Sequence, residues 1–300
     1  MERKTFIDVA KGIAMLLVVM QHIGGTLDSG MSLLCKIDVP LFFLCSGYLA
    51  YKSKIDILGQ LRKSIWRIVL PFVVAIVVAA LYYHENIIDI FFSIGKRGYW
   101  FLEALFLMIL FFWMIYRSTK LLMIGGVVIE IMLLALSKYP PEIIDNVLGF
   151  SYLSRYFPCF IAGALVRKHH IENLSMGGVN LFLLLVSLIG LGWHFQSTNV
   201  SFLAFVVGYL TSSILAFFFI KKYEMSMPRI LRNSFAYIGR YSLNVYIIHF
   251  FIVPYFAYIS SWFVINFIVV LLLAFLVTYT SIAIGKILTF STPLNKILTP

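Results

Sequence analysis

The stretch FIDVAKGIAMLLVVMQH, residues 6–22, decides the fold class. It supplies most of a membrane-crossing helix, which needs about 20 mostly apolar residues. Similar runs recur along the chain, whose 300 residues are 61% hydrophobic and only 12% charged, with a mean hydropathy of +0.95. A soluble domain is about a quarter charged. Because the runs are long and lack the alternation of barrel strands, the sequence predicts an all-α integral membrane protein.

Ten apolar segments predict a bundle of about ten transmembrane helices. They cover residues 7–25, 37–51, 67–83, 99–116, 121–137, 151–166, 178–195, 201–220, 241–258 and 263–285. With a cytoplasmic N-terminus, eighteen of the 24 Lys and Arg residues fall in inner loops and ends, and five in outer segments. Since positive residues are retained inside, this bias predicts that both termini are cytoplasmic. No linker or repeat divides the chain, so we expect one transmembrane domain over residues 1–300.

The net charge of +11 does not require a nucleic-acid partner. Retention of Lys and Arg on the cytoplasmic side accounts for it, and no basic run belongs to a soluble module. No H-E-x-x-H, paired CxxC or phosphate-binding loop is present, so we expect no metal. The protein is predicted to be a multi-pass protein of the cell's inner (plasma) membrane, with the lipid bilayer as its surroundings.

The first helix carries three ionisable residues where hydrocarbon penalises charge, namely Asp8, Lys11 and His22. Ten residues lie between Lys11 and His22, and this step of eleven positions brings them within about 20° of the same face and about 16 Å apart along the axis. Asp8 precedes Lys11 by three residues and is close enough to pair with it. Snorkelling of Lys11 and an interhelical or interfacial role of His22 are the plainer alternatives. Together on one face, the three residues favour a functional site.

Four further motifs follow this helix in order. They are VPLFFLCSGYL at 39–49, GYWFLEALF at 98–106, RYFPCFIAGAL at 155–165 and IGRYSLNVYIIH at 238–249. With Lys11 and His22, they resemble the membrane acyltransferase family 3, which places Arg or Lys ten residues before a histidine in the first helix. The resemblance implies an acyl-CoA donor, usually acetyl-CoA, from the cytoplasm, and an acceptor hydroxyl on an extracytoplasmic sugar. One departure is Ser64, which stands where a second Arg is expected.

The resemblance and the polar face together give a hypothesis for each residue. His22 acts as general base, Lys11 holds the polarised part of the donor, and Asp8 orients Lys11. Direct transfer and a relayed acyl-histidine both remain open. The candidate acceptor contacts are Glu103, Arg155, His249, Trp100 and Ser46. The candidate contacts to the CoA phosphates are Arg62, Lys63 and Arg67, with the predicted inner loop 221–240.

Two other functions fit the hydrophobic pattern. A transporter or flippase for a lipid-linked sugar also uses intramembrane charge and broken spans, although it predicts related halves, which the sequence lacks. A structural or sensory membrane protein accounts for the hydrophobicity, but it gives no reason for the alignment of Asp8, Lys11 and His22. The sequence therefore favours an integral membrane O-acetyltransferase.

Overall fold

A computed structural model describes residues 4–24, 36–52, 56–138, 142–173, 202–255 and 263–289. Within these ranges the regular structure is helical, and no β-strand occurs, which confirms the all-α fold class. Five helices of the described chain are long and apolar enough to cross a membrane: Thr5–Gly24, Ile57–Tyr83, Thr119–Ser137, Val206–Ser226 and Phe267–Leu288. Three shorter apolar helices accompany them, at Asp38–Ala50, Trp100–Ile115 and Ser242–Tyr255.

The helices follow the predicted apolar segments closely. In chain order they are α1 Thr5–Gly24, α2 Asp38–Ala50, α3 Ile57–Tyr83, α4 Ile87–Phe91, α5 Trp100–Ile115, α6 Thr119–Lys138, α7 Glu142–Leu148, α8 Phe150–Lys168, α9 Phe202–Tyr223, α10 Arg229–Arg240, α11 Ser242–Ile252 and α12 Phe263–Thr289. The predicted segment 178–195 lies outside the described residues. The number of spans and the cytoplasmic location of the termini stay predictions.

By its contacts the chain divides into two compact units. The first comprises Met1–Cys45 and Glu172–Pro300, and the second comprises Ser46–Ile171, so that the division falls within α2. In the first unit, α1 packs against α9, α10, α11 and α12, and most of its residues are buried. Lys4, the residue before α1, forms an ion pair with Glu172, in which Nζ lies 3.0 Å from Oε1. The helix with the polar face is thus surrounded by other helices of its unit.

The contact between α1 and α10 depends on two glycines. A Cβ placed on Gly12 would lie 1.9 Å from the carbonyl oxygen of Phe235, and one on Gly239 would lie 1.8 Å from that of Asp8. Only residues without a side chain allow the two backbones to approach this closely. The crossing lies next to Asp8 and Lys11. It therefore fixes α10 against the part of α1 that carries the predicted cation.

Part of the predicted inner loop 221–240 is helical. The structure shows α10 at Arg229–Arg240, where the sequence led us to expect a loop. Its buried residues, Ala236, Ile238 and Gly239, lie near its C-terminal end, and arginines lie at both ends. The helix is too short to cross a membrane, so a search for long apolar runs does not detect it.

In the second unit, α3 begins ten residues earlier than its predicted apolar segment. The side chain of Asp56 accepts a hydrogen bond of 3.1 Å from the Gly59 N–H and caps the first turn. The helix widens into a π-turn at Ile65–Val69, where the Leu70 N–H reaches the Ile65 carbonyl five residues back. Pro71 follows and has no N–H with which to close an ordinary turn. This π-turn contains Arg67.

The rest of the second unit packs around α8. That helix lies against α5 and α6. Gly47, in the last turns of α2, allows another close approach, since a Cβ there would lie 1.8 Å from the Phe160 carbonyl oxygen. Arg167 Nη1 donates a hydrogen bond of 2.9 Å to the Tyr48 hydroxyl in the same region.

Candidate functional site

A single uninterrupted helix carries Asp8, Lys11 and His22, which confirms the helical geometry on which their shared face was predicted. Asp8 is buried, with only 8% of its surface exposed. Lys11 is half-buried, and its Nζ lies 5.7 Å from the centre of the Phe42 ring. This is a cation–π contact, so a ring from α2 stabilises the ammonium group without neutralising its charge. The predicted pairing of Asp8 with Lys11 stays a prediction.

His22 lies near the other end of α1 and is exposed. Its imidazole packs edge-on against the Phe250 ring, with the ring centres 4.8 Å apart. The His249 ring lies 5.3 Å away, centre to centre. Both neighbours belong to α11, so residues far apart in sequence meet at this end of the first unit. The sequence singled out His22 and His249 separately and gave no sign that they are adjacent.

His249 is completely buried, with 0% of its surface exposed. Its Nδ1 lies 2.8 Å from the carbonyl oxygen of Val245, one turn earlier in α11. The first unit therefore contains four of the predicted site residues: Asp8 and Lys11 at one end of α1, and His22 with His249 at the other.

The other predicted site residues belong to the second unit. Trp100 stacks on two tyrosines of α8, with ring centres 4.0 Å from Tyr152 and 5.7 Å from Tyr156. Arg155, which lies between these tyrosines in the sequence, is half-buried. Ser46 is half-buried in α2. Trp100 and Arg155 are thus carried by helices that touch each other through the aromatic stack.

Glu103 forms a buried ion pair. Its Oε2 lies 3.0 Å from Lys96 Nζ, and 14% of the Glu103 side chain is exposed, against 0% for Lys96. Lys96 Nζ also donates a hydrogen bond of 2.6 Å to the Asn146 carbonyl oxygen. This lysine, which the sequence placed in an outer loop, stabilises the negative charge of Glu103 beside the aromatic stack.

A cluster of positive side chains lies near the start of α3. Arg62, Lys63 and Arg67 are exposed. Burial lowers the pKa of Lys52, and the charges of Lys63 and Arg67 lower it further. Lys52 therefore lies within electrostatic range of the predicted phosphate-binding residues. The sequence pattern indicated only an inner-loop cation at this position. No motif around Lys52 in the sequence indicated a role in binding phosphate.

Among the described residues, no group of three or more His, Cys, Asp or Glu side chains is close enough to hold a metal ion. The first unit offers an exposed imidazole, a half-buried ammonium group and a buried carboxyl group, and the second unit offers a cluster of exposed cations.

Comparison with known proteins gives one result. A family profile described as an acyltransferase domain, Acyl_transf_3, matches residues 4–286 and so includes all the candidate residues. Searches of curated proteins and of solved structures found no match. A match over nearly the whole chain agrees with the ordered motifs, the helical fold and the Lys11–His22 spacing. The chain therefore belongs to acyltransferase family 3 and is a membrane acyltransferase.

Proposed function

We propose that this protein is an O-acetyltransferase of the inner (plasma) membrane. It moves an acetyl group from cytoplasmic acetyl-CoA to a hydroxyl of a cell-surface or lipid-linked glycan. The observation that carries the proposal is the exposed imidazole of His22 on the same helix as Lys11 and Asp8, in a chain of an acyltransferase family.

His22 serves as the general base. As the acceptor oxygen attacks the thioester carbonyl, its proton moves to an imidazole nitrogen, the carbon–sulfur bond breaks, and CoA leaves as a thiolate. That thiolate then takes the proton from His22, so the products are the acetyl ester and CoA thiol. General-base catalysis by a positioned histidine contributes about 10²–10⁴-fold to such a step. Its exposure supports this role, because an acceptor sugar has to reach it.

Lys11 binds the polarised part of the donor. Its ammonium group lies over the Phe42 ring, which stabilises the positive charge without neutralising it. Asp8 lies one turn earlier on the same side of the helix and balances the charge of Lys11 in a low-dielectric setting. Because Lys11 lies about 16 Å from His22 along the helix axis, it binds a part of the donor remote from the reacting carbonyl.

The cations at the start of α3 bind the CoA phosphates. Burial lowers the pKa of Lys52, and the nearby charges of Lys63 and Arg67 lower it further. A polyanion that binds among these three cations relieves their mutual repulsion. Arg62 adds a further exposed charge. Lys52 thus joins the three residues predicted from the sequence, and the π-turn that carries Arg67 is a feature frequent at functional sites.

The Trp100 stack is the proposed contact for the acceptor. Trp100, Tyr152 and Tyr156 form an aromatic surface, and Glu103 lies one helical turn after Trp100 with its charge balanced by Lys96. Arg155 and Ser46 add polar groups to the same unit. Aromatic faces beside hydrogen-bonding groups suit a sugar, which has both apolar C–H and polar O–H surfaces.

The proposal is tested by mass spectrometry of surface and lipid-linked glycans from cells that lack the protein. We expect an O-acetyl group to be missing, and to return with the wild-type protein but not with His22→Ala at equal membrane abundance. His84→Asn is the matched control, because His84 is exposed and left-handed, a conformation that asparagine tolerates. Intact acetylation with the glycan itself missing from the surface would instead indicate transport.

A further inference from the structure

The buried histidine His249 has one nitrogen whose role is fixed. Its Nδ1 lies 2.8 Å from the Val245 carbonyl oxygen, and a carbonyl can only accept a hydrogen bond. Nδ1 therefore carries the hydrogen, and in the neutral ring Nε2 has a lone pair. Within the described part of the chain, this buried Nε2 has no hydrogen-bond partner.

A buried acceptor without a partner lowers stability, so packing alone does not explain a histidine here. A phenylalanine at position 249 would fill the same space without leaving a buried acceptor unpaired. The orphaned nitrogen belongs to a ring 5.3 Å from His22, centre to centre. Since each imidazole nitrogen lies about 1.1 Å from its ring centre, this separation lets a nitrogen of each ring come within about 3.1 Å of the other, which is hydrogen-bond distance.

We propose that His249 is the positioning residue of His22, an inference that rests on the proposed function. The Nε2 of His249 accepts a hydrogen bond from one ring N–H of His22. This fixes the tautomer of His22, so its other nitrogen presents a lone pair on the exposed side. In this arrangement His22 is the general base, and the neutral imidazole of His249 orients it, as a third group orients the base in other catalytic sites.

The pair also accounts for the proton during transfer. When His22 takes the acceptor's proton, it becomes an imidazolium, and the N–H directed at His249 becomes a stronger donor. His249 Nε2 accepts this bond while its own Nδ1–H remains on Val245. The proton then leaves His22 for the CoA thiolate. No oxidant or further reactant is needed, and His249 has the same protonation state before and after the reaction.

The test uses His249→Phe and His249→Gln in the wild-type and His22→Ala backgrounds. Proteoliposomes receive acetyl-CoA and the glycan fraction extracted from cells lacking the protein, and CoA thiol release gives kcat and KM. We expect His249→Phe to lower kcat about 10–100-fold with KM little changed. His249→Gln, whose amide oxygen replaces Nε2 as acceptor, recovers most of that loss. In the His22→Ala background, His249→Phe adds less than about a twofold loss.

Independent, multiplied losses for the His22 and His249 variants would overturn the pairing, as would wild-type kcat in His249→Phe. If His249→Phe fails to accumulate, His249→Asn replaces it, since asparagine is shorter and has no atom at the position of Nε2 to accept from His22.

A second measurement separates this inference from the proposed function. Diethylpyrocarbonate modifies neutral, nucleophilic imidazoles, and its rate at His22 is followed by mass spectrometry of the folded protein without substrate. We expect His22 to react at least about threefold more slowly in His249→Phe, and at nearly the wild-type rate in His249→Gln. An unchanged rate in His249→Phe contradicts the pairing. Full activity of His22→Ala contradicts only the proposed function, because the modification rates still report on the pair.

Discussion

Replacing Gly12 by alanine should separate α1 from α10 and displace the residues at the end of α1 that carries Lys11. The new Cβ would lie 1.9 Å from the Phe235 carbonyl oxygen, whereas real Cβ atoms keep at least 3.0 Å from such an atom. The helices must therefore move apart by at least about 1.1 Å. Because the obstacle is backbone, no side-chain rotation relieves it.

The cost follows from the geometry. Overpacking of this kind lowers the free energy of unfolding by about 1–3 kcal/mol, and a backbone obstacle falls at the upper end of that range. At about 2–4 °C per kcal/mol, a cost of about 3 kcal/mol should lower the apparent Tm in detergent by about 6–12 °C. A displacement of about 1 Å near a reacting group also reduces the rate by about 10²-fold.

The assay compares the apparent Tm and the rate of acetyl transfer for Gly12→Ala and Gly95→Ala. Gly95 is the matched control, because nothing lies within 4 Å of a Cβ built there. The control should stay within about 0.5 kcal/mol of wild type. Gly239→Ala, which meets the Asp8 carbonyl at the same crossing, should resemble Gly12→Ala. Equal Tm values for Gly12→Ala and Gly95→Ala would refute the close crossing of α1 and α10.

Three other predictions concern Lys52, Lys11 and the Lys96–Glu103 ion pair. Burial and the neighbouring charges lower the pKa of Lys52, so its positive charge is lost at a lower pH than that of an ordinary lysine. CoA affinity should therefore weaken as the pH rises, and Lys52→Arg should flatten this dependence in isothermal titration. An identical slope would exclude Lys52 from the donor site. Lys11→Arg should keep more acetyl transfer than Lys11→Ala in the proteoliposome assay, and equal losses would argue against a role for its charge. Lys96→Met should lower the free energy of unfolding by about 3 kcal/mol, and by more than Glu103→Gln does. The reason is that Lys96 is fully buried and also donates a hydrogen bond to a backbone carbonyl. Equal shifts in Tm for the two variants would contradict this prediction.

Helices set by a local apolar pattern were predictable from the sequence. The run that contains Lys11 and His22 is one helix because it has no interior proline and enough apolar residues to be buried on several sides. The start of α3 was missed, since the apolar criterion excluded Arg62 and Lys63. A local capping residue, Asp56, extends that helix instead. Hydropathy alone does not register a cap.

Contacts between distant segments were not predictable in the same way. Nothing in the spacing of His22 and His249 along the chain indicates that their rings meet, because the packing of α11 on α1 decides it. The pairing of Glu103 with Lys96 is short in sequence, yet it depends on a left-handed backbone at Lys96 that the residue type does not favour. The predicted roles of Asp8, Lys11 and His22 came from helix geometry and the family resemblance.

The account depends most directly on His22 taking the acceptor's proton. The decisive measurement is kcat for acetyl transfer by purified His22→Ala in proteoliposomes, with its apparent Tm recorded alongside. We expect kcat to fall about 10²–10⁴-fold while the Tm stays close to that of wild type. A stable His22→Ala protein that transfers acetyl groups within a few-fold of the wild-type rate would contradict the assignment of His22 as the general base.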